Sequence, residues 1–457
     1  MKIYNTISRK KEEFIPITAG KVKIYLCGPT VYNYFHIGNA RTFLFFDVVR
    51  SYFKYKGYEI TYVQNITDID DNLISQSAKE NIPVPKIAEK YIKAFMDDTA
   101  AIGITPADFN PRATEYLSEM IAFIKILEEK GFAYEVNGDV YYSIEADKFY
   151  GELSGKKIED LQMGARVEEN VQKKHPADFT LWKKAKPGEP KWQSPWGEGR
   201  PGWHTECVVM SQKLLGETFD IHGGAIDLIF PHHENEIAQV RGSCGKIHAK
   251  YWMHGGFLNI TGEKMSKSLD NFFLTRDVLK KFDAEAIRFF FLSKHYRSSI
   301  DYNEEILRES EQAVKNFYNA LKNADYLSIK DCNPEYNADQ KKMKEDFIAA
   351  MDDDFNTAVA ISILFDAAKK SRTSNDSNYA LLLVELGRVL GFFQNLDYKL
   401  KSNVDSISID LIQLLIDYRN RFKKEKNWQM ADAIRDDLKK LGIQLKDTPD
   451  GTKWETD

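Results

Sequence analysis

The stretch that decides the fold is VKIYLCGPTVYNYFHIGNARTFLFFDVVRSYFKYKGYEITYVQNI, residues 22–66. It opens with a short apolar strand, 22–27, that runs into the turn Gly28-Pro29-Thr30. After His36-Ile37-Gly38-Asn39, the residues Phe45, Val49, Tyr52 and Phe53 recur at helical spacing, and Gly57 marks the helix end. The next run, 59–66, carries Ile60, Tyr62 and Val63 and predicts a second strand. Strand, helix and strand of this length imply a parallel sheet, with a ligand crevice at the C-terminal ends of its strands.

Outward from this unit the texture changes. Residues 111–195 hold one helical stretch, 115–130, then short strand and turn pieces such as 138–143, and a Pro/Gly/Trp-rich run, 186–203, closes the block. Strand-like apolar runs resume at 218–222, so the block reads as an insertion into an α/β domain. From residue 284 the pattern is almost wholly helical, with Ile287, Phe290 and Phe291, then Leu381, Leu382, Leu386, Val389 and Leu390 at 3.6-type spacing. A polar stretch, 399–408, sets off a final segment of about fifty residues.

The chain has 457 residues, enough for about three domains with sizeable cores. Its 63 Lys+Arg and 68 Asp+Glu leave a formal charge of −5, which excludes a uniformly basic surface but not a local basic patch. Cys27, Cys207, Cys244 and Cys332 are too few and too scattered for a disulfide framework, which fits a reduced, cytoplasmic setting. The first residues are charged rather than apolar, and runs such as 43–46 and 289–292 are too short to span a bilayer, so no membrane partner is expected.

Three groups of residues carry chemistry. His36-Ile37-Gly38-Asn39 sits where a strand turns into a helix; helix-end amides favour phosphate, Gly38 admits a close approach, and His36 and Asn39 can donate hydrogen bonds. A turn histidine followed by a capping Asn is the plainer reading. Lys264-Met265-Ser266-Lys267-Ser268 offers two mobile ammoniums suited to an anion that gains charge during reaction; a solvated loop is the alternative. The third group begins with Pro231, read as a first helical position, which puts His232 and Glu236 at i and i+4 on one face. With Cys27 and Cys207 they form a Cys, Cys, His, Glu set that zinc accepts, although with no Cys-x-x-Cys and 180 residues between the cysteines, buried structural thiols are the better reading of the spacing alone. His233 is a neighbouring alternative, about 100° round a regular helix from His232.

Taken together, His36–Asn39 and the lysine pentad some 230 residues later resemble the two signatures of class I aminoacyl-tRNA synthetases. Within that class the chain resembles the cysteinyl-tRNA synthetase family. The residues that narrow it are Cys27-Gly28-Pro29-Thr30-Val31-Tyr32-Asn33, Asn65-Ile66-Thr67-Asp68-Ile69-Asp70-Asp71, Gly202-Trp203-His204-Thr205-Glu206-Cys207, Asp220-Ile221-His222-Gly223-Gly224 and Phe230-Pro231-His232-His233-Glu234-Asn235-Glu236. One departure is Asn39, where the class signature usually has a second histidine. The resemblance implies a Rossmann-like parallel-sheet catalytic domain in two halves, 1–110 and 196–250, split by a connective insertion at 111–195. The lysine-loop and stem-contact region would follow at 251–310, an α-helical bundle on the anticodon side at 311–400, and a small C-terminal anticodon-binding domain at 405–457.

The implied activity is ATP-dependent activation of L-cysteine, with Mg2+ accompanying ATP, and transfer of the cysteinyl group to tRNA(Cys) by a monomer. On the same resemblance, His36, Asn39, Lys264 and Lys267 are catalytic, and His36, Gly38, Asn39, Asp227 and Lys267 bind ATP. Gly28, Thr67, Trp203 and His222 line the cysteine pocket, while Cys27, Cys207, His232 and Glu236 hold one Zn2+. Zinc prefers a thiolate to a hydroxyl, so a metal-bound substrate sulfur would separate cysteine from serine in one binding step, without an editing domain. Trp203 read without the family is a core aromatic, Asp68, Asp70 and Asp71 a solvated turn, and Cys244 and Cys332 packing or surface thiols.

Near the C-terminus, Arg419, Arg421, Lys423, Lys424 and Lys426 stand against Asp417 and Glu425, a local +3 followed by Trp428. This is a candidate phosphate stripe with a stacking aromatic, or an exposed charged helix with one packing Trp. The resemblance favours anticodon contact through Trp428, Asp432 and Asp447. Rival readings are a mycothiol cysteine ligase, which would lack the anticodon-binding end; a zinc hydrolase, which would leave the lysine pentad unexplained; and a non-enzymatic tRNA-binding protein, which would not need the nucleotide motifs.

Overall fold

The computed structural model describes residues 1–158, 173–260, 263–264, 273–374, 376–401, 406–448 and 451–456. The chain divides into two units, Met1–Gln394 and Asn395–Asp457.

The first unit is organised by a four-stranded parallel sheet in the spatial order Ala249–Gly255, Phe219–Ala225, Lys21–Leu26, Glu59–Gln64. In chain order these are the fourth, third, first and second strands. The order therefore reverses between Lys21–Leu26 and Phe219–Ala225, where crossovers leave the sheet in opposite directions and open a crevice at the strand ends. Paired there are Tyr25 with His222 and Leu26 with Gly223, so Cys27 leaves the sheet at the crevice.

The helix Ile37–Tyr55 returns the chain from the first strand to the second. The sequence shows one apolar stripe on it, but the structure buries nearly every face: Phe43, Leu44, Phe45 and Phe46 are all in the core. Its buried charges then need partners. Asp47 is gripped by Arg50 (2.8 Å) and Arg288 (3.0 Å), and Arg41 turns to backbone carbonyls. Gly223 lacks a side chain because a Cβ there would lie 2.2 Å from the Phe46 ring, so the helix packs directly on the sheet.

The insertion forms an antiparallel sheet of Ala133–Val136, Asp139–Tyr142, Phe179–Lys184 and Gly199–Pro201, with the helix Leu117–Glu129 before it. Its last strand lies beyond residue 195, so the Pro/Gly/Trp-rich run contributes to the sheet rather than only linking domains. A Cβ on Gly199 would meet Trp182 Nε1 at 2.3 Å, which explains a glycine in that strand. After the parallel sheet come a small sheet of Glu263–Lys264, Leu258–Ile260 and Ile300–Tyr302, and then the helices Glu304–Asn323, Ala338–Asp352, Thr357–Thr373 and Asn378–Val389. The second unit holds the helices Ser406–Lys424 and Trp428–Lys440 and the hairpin Ile443–Thr448 with Gly451–Thr456. Among the described residues no helix is long and apolar enough to cross a membrane.

Candidate active site

The crevice at the strand ends is a cleft of about 440 Å3, lined among others by Cys27, Gly28, His36, Gly38, Asn39, Trp203, Asp227, Gly256, Phe257 and Leu258. A cavity of about 540 Å3 elsewhere, beside Asp47 and Arg50, contains none of the predicted site residues.

His36 is the N-cap of the helix Ile37–Tyr55, with extended backbone, and its Nδ1 accepts from the Asn39 N–H at 3.3 Å. The cap is thus the histidine, not the asparagine. Ile37 N–H donates to the Phe273 carbonyl at 2.9 Å, and His36 pairs with Leu274. The chain leaving the lysine pentad is therefore stitched to the first signature. Gly38 N–H and the Asn39 side-chain amide have no protein partner among the described residues and line the cleft. Lys267 lies outside the described residues; Lys264 is in the strand Glu263–Lys264, whose backbone alone is described.

Gly28 passes so close to Asn65 that a Cβ would lie 1.7 Å from the Asn65 carbonyl oxygen. Its N–H donates to Asn65 Oδ1 at 2.8 Å. Thr67 and His222 are buried behind the cleft surface rather than on it. Thr67 Oγ1 donates to Glu206 Oε2 at 2.8 Å, while Glu206 Oε1, fully buried, has no partner; burial pushes this carboxyl well up. Sequence reading used Glu206 only as a family marker. Trp203 is not a core aromatic: it is 40% exposed in the cleft and stacks on His232 at 4.1 Å between ring centroids.

Nor are the three aspartates a solvated turn. Asp68 is buried and accepts from Thr114 N–H (3.0 Å) and Oγ1 (2.6 Å), tying the strand end to the insertion. Asp70 caps the helix Asp71–Glu80 and borders the cleft, and Asp71 pairs with Lys183 and Arg200. Cys244 and Cys332 are exposed.

Cys27, Cys207, His232 and Glu236, all buried, bring one ligand atom each within 4.8 Å of one another. The two sulfurs are 3.8 Å apart. Two thiolates each about 2.3 Å from a tetrahedral zinc would be about 3.8 Å apart, so this edge already has the required length. His232 Nε2 lies 3.0 Å from Glu236 Oε1 but makes no well-directed hydrogen bond, while its Nδ1 is 2.9 Å from His204 Nδ1. A buried imidazole held at one nitrogen and uncommitted at the other suits metal ligation.

A second set, Cys27, His222, His233 and Glu236, also converges. His233 does not point away: the backbone breaks at the extended Phe230, ahead of the regular helix Glu234–Cys244, and both His232 and His233 are turned into the cluster. His233 Nε2 reaches Cys27 Sγ at 3.2 Å, and a Cβ on Gly224 would lie 2.7 Å from its ring. The second set supplies one thiol instead of two, and His233 and His222 are engaged with His254 (2.8 Å) and Glu236 (2.8 Å). The first set is the better zinc donor set.

The charges agree. Burial raises the Cys27 thiol, whereas the hydrogen bond from Cys27 outweighs burial at Cys207 and lowers it to about 6. Burial opposes a charged His232, but Cys207 and Glu236 push it up to about 10. Two acidic ligands thus hold the proton of an imidazole at a point where a cation can replace it.

In the second unit, Asp447 is not open for reading base edges. It accepts from Arg419 at 2.8 and 2.9 Å, from Lys423 at 2.7 Å and from Thr452 Oγ1 at 2.8 Å. Those bonds hold its carboxyl well below the usual range. Arg419, itself buried, and Lys423 are therefore neutralised within the basic stripe. Trp428 is 59% exposed, and the exposed Asp432 pairs with Arg435 at 3.2 Å.

A parallel sheet whose order reverses at a cleft lined by a helix N-terminus is the architecture of a nucleotide-binding α/β domain. Residues 13–313 match the family model for the tRNA synthetases class I (C) catalytic domain, and residues 346–394 match a DALR domain. The chain belongs to the class I tRNA synthetases, which activate an amino acid with ATP and Mg2+ and charge tRNA with it. Solved structures share the fold. Mycobacterium tuberculosis methionyl-tRNA synthetase in complex with methionyl-adenylate is similar at TM-score 0.60 and 14% identity, over 81% of this chain and 90% of that one. The Agrobacterium radiobacter K84 agnB2 LeuRS in a ternary complex with tRNA gives 0.60 and 11%, over 85% and 86%. A putative arginyl-tRNA synthetase from Campylobacter jejuni gives 0.52 and 15%, over 81% and 91%.

Proposed function

We propose that this synthetase is a cysteine–tRNA ligase, which forms cysteinyl-adenylate from L-cysteine and ATP and transfers the cysteinyl group to the 3′ end of tRNA(Cys). The observation that carries the reading is the Cys27, Cys207, His232, Glu236 cluster, of which Cys27 alone opens onto the cleft. These four residues would hold Zn2+. Bound there, zinc supplies a soft Lewis acid that selects a thiolate over a hydroxyl.

The rest is done by the chain. Gly28 and Trp203 flank the amino-acid end of the cleft, with Thr67 and His222 supporting the floor from behind. Gly38 N–H and the Asn39 amide, without a partner among the described residues at the positive end of a helix, donate to the triphosphate beside His36. Asp227, across the cleft, orients the ribose. The substrate carboxylate attacks the α-phosphate and pyrophosphate leaves; Lys264 and Lys267 neutralise the charge that builds up, Lys267 more directly. The tRNA's terminal adenosine hydroxyl then attacks the adenylate carbonyl, forming the ester as the acyl–phosphate bond breaks and AMP leaves. Trp428 and Asp432 serve the anticodon end, and Asp447 acts there by holding Arg419 and Lys423.

The test is ATP–pyrophosphate exchange with cysteine, serine, methionine, leucine and arginine, followed by charging of a tRNA with a GCA anticodon. Exchange that depends on cysteine and fails with serine supports the reading. Equal exchange with serine, or unchanged cysteine activity after complete zinc removal, overturns the zinc-selected mechanism. Exchange with another of these amino acids in place of cysteine overturns the assignment.

A further inference from the structure

Arg41 stands one helical turn inside the first signature helix and is almost wholly buried. Its guanidinium donates to four backbone carbonyls: Gly256 (2.7 Å), Phe257 (2.5 Å), Tyr296 (3.3 Å) and Ser298. Among the described residues no carboxylate pairs with it, in contrast to Arg50 and Arg288 nearby, which share Asp47. A buried cation ordinarily has an anionic partner. Here the acceptors among the described residues are four carbonyl oxygens, which carry only partial negative charge.

Those carbonyls belong to two segments that pack with little clearance. A Cβ on Gly256 would lie 2.6 Å from the Ser298 oxygen and 2.7 Å from that of Arg297, and Gly256 N–H donates to the Tyr296 carbonyl at 2.8 Å. Gly256, Phe257 and Leu258 line the same cleft as Gly38 and Asn39, between the strands Ala249–Gly255 and Leu258–Ile260. The Tyr296 and Phe257 oxygens also accept from Gly256 N–H and from Ile300 N–H (3.0 Å), so without Arg41 it is the Gly256 and Ser298 carbonyls that would lose their donor among the described residues, and the converging dipoles would repel one another.

We propose that Arg41 is a positioning residue for the nucleotide: its guanidinium clamps the Gly256–Phe257 part of the cleft lining to the signature helix and leaves a cation without a counter-carboxylate among the described residues behind the helix end that receives the triphosphate. The inference rests on ATP binding at His36–Asn39. The clamp acts on nucleotide binding, and the charge acts on the step in which phosphate oxygens gain negative charge.

Arg41→Gln and Arg41→Lys separate the two parts in ATP–pyrophosphate exchange, with KM determined for ATP and for the amino acid that supports exchange, and His36→Ala run alongside. Arg41→Gln is expected to raise the KM for ATP about tenfold or more and to lower kcat, with the amino-acid KM unchanged within about twofold. Arg41→Lys keeps the charge but cannot hold four carbonyls, so kcat recovers while the ATP KM stays raised. If Arg41→Gln does not fold, Arg41→Lys decides by the same split. Both KM values moving together with the melting temperature, or an unchanged ATP KM in a folded Arg41→Lys, overturns the inference. His36→Ala with an unchanged ATP KM overturns the nucleotide placement and this inference with it. A raised value in His36→Ala and normal values in the Arg41 variants overturn this inference alone.

Discussion

Replacing His204 by Leu tests the zinc reading without touching a ligand. His204 Nδ1 lies 2.9 Å from His232 Nδ1, and burial holds the His204 ring neutral. If His232 Nε2 faces a metal, its Nδ1 carries the proton and His204 accepts it, which fixes the tautomer. Leucine removes that acceptor. The His232 N–H then remains buried and unsatisfied, or the proton moves to Nε2 and blocks the metal. An orphaned buried donor costs about 1–3 kcal/mol, which is about 5- to 160-fold in Kd. Zinc affinity, measured by competition with a chromophoric chelator, should therefore fall by about 10- to 100-fold. His204→Gln, whose amide oxygen can accept the same bond, should recover most of it. His204 also packs edge-on against Phe179, so melting temperature is followed in both variants. A folded His204→Leu protein that binds zinc as tightly as the unmodified enzyme refutes the arrangement.

Lys267→Ala should depress adenylate formation far more than cysteine binding, measured by exchange and by equilibrium binding; equal losses in both would remove its transition-state role. Asp47→Asn should destabilise the first unit by about 3–5 kcal/mol in chemical denaturation, because it leaves Arg50 and Arg288 buried without their shared anion. Arg288 and Arg50 outweigh burial and hold the Asp47 carboxyl below its ordinary value. A depressed carboxyl contributes its full stability above the unfolded value of about 4 and loses it as pH falls further, so the difference between the two proteins should shrink only in acid. Asp447→Ala should release Arg419 and Lys423 and steepen the salt dependence of tRNA binding by about one unit of log–log slope. Lost discrimination between anticodons at unchanged salt dependence would instead restore Asp447 as a base reader.

The sequence carried the fold a long way. Residues 22–66 predict strand, helix and strand, and the strands form at Lys21–Leu26 and Glu59–Gln64 around the helix Ile37–Tyr55. The family match and the structural similarities bear out the class I fold and its helical continuation. Less legible were residues whose surroundings lie far off in the chain. Asp68 reads as a turn carboxylate until Thr114 closes on it. Trp203 reads as core until His232 lies flat beneath it in the cleft. Asp447 reads as an exposed acid until the hairpin brings it to Arg419. Arg41 gave no signal at all, since its partners are main-chain oxygens that every sequence possesses.

By itself the sequence determined what short-range physics controls: where apolar periodicity makes strands and helices, where His36 and Gly38 open a helix end to phosphate, and which donor types a metal could use. Only the tertiary structure decided which of those donors meet. Cys27 and Cys207 are 180 positions apart and approach to 3.8 Å because the helix Trp203–Leu215, which carries Cys207, packs against the first strand of the sheet. His233, which lies about 100° round a regular helix from His232, still reaches Cys27 because the first strand ends beside it and Gly224 leaves room for its ring. Local propensity acts over a few residues, whereas these meetings depend on strand order and side-chain packing, which no local pattern encodes.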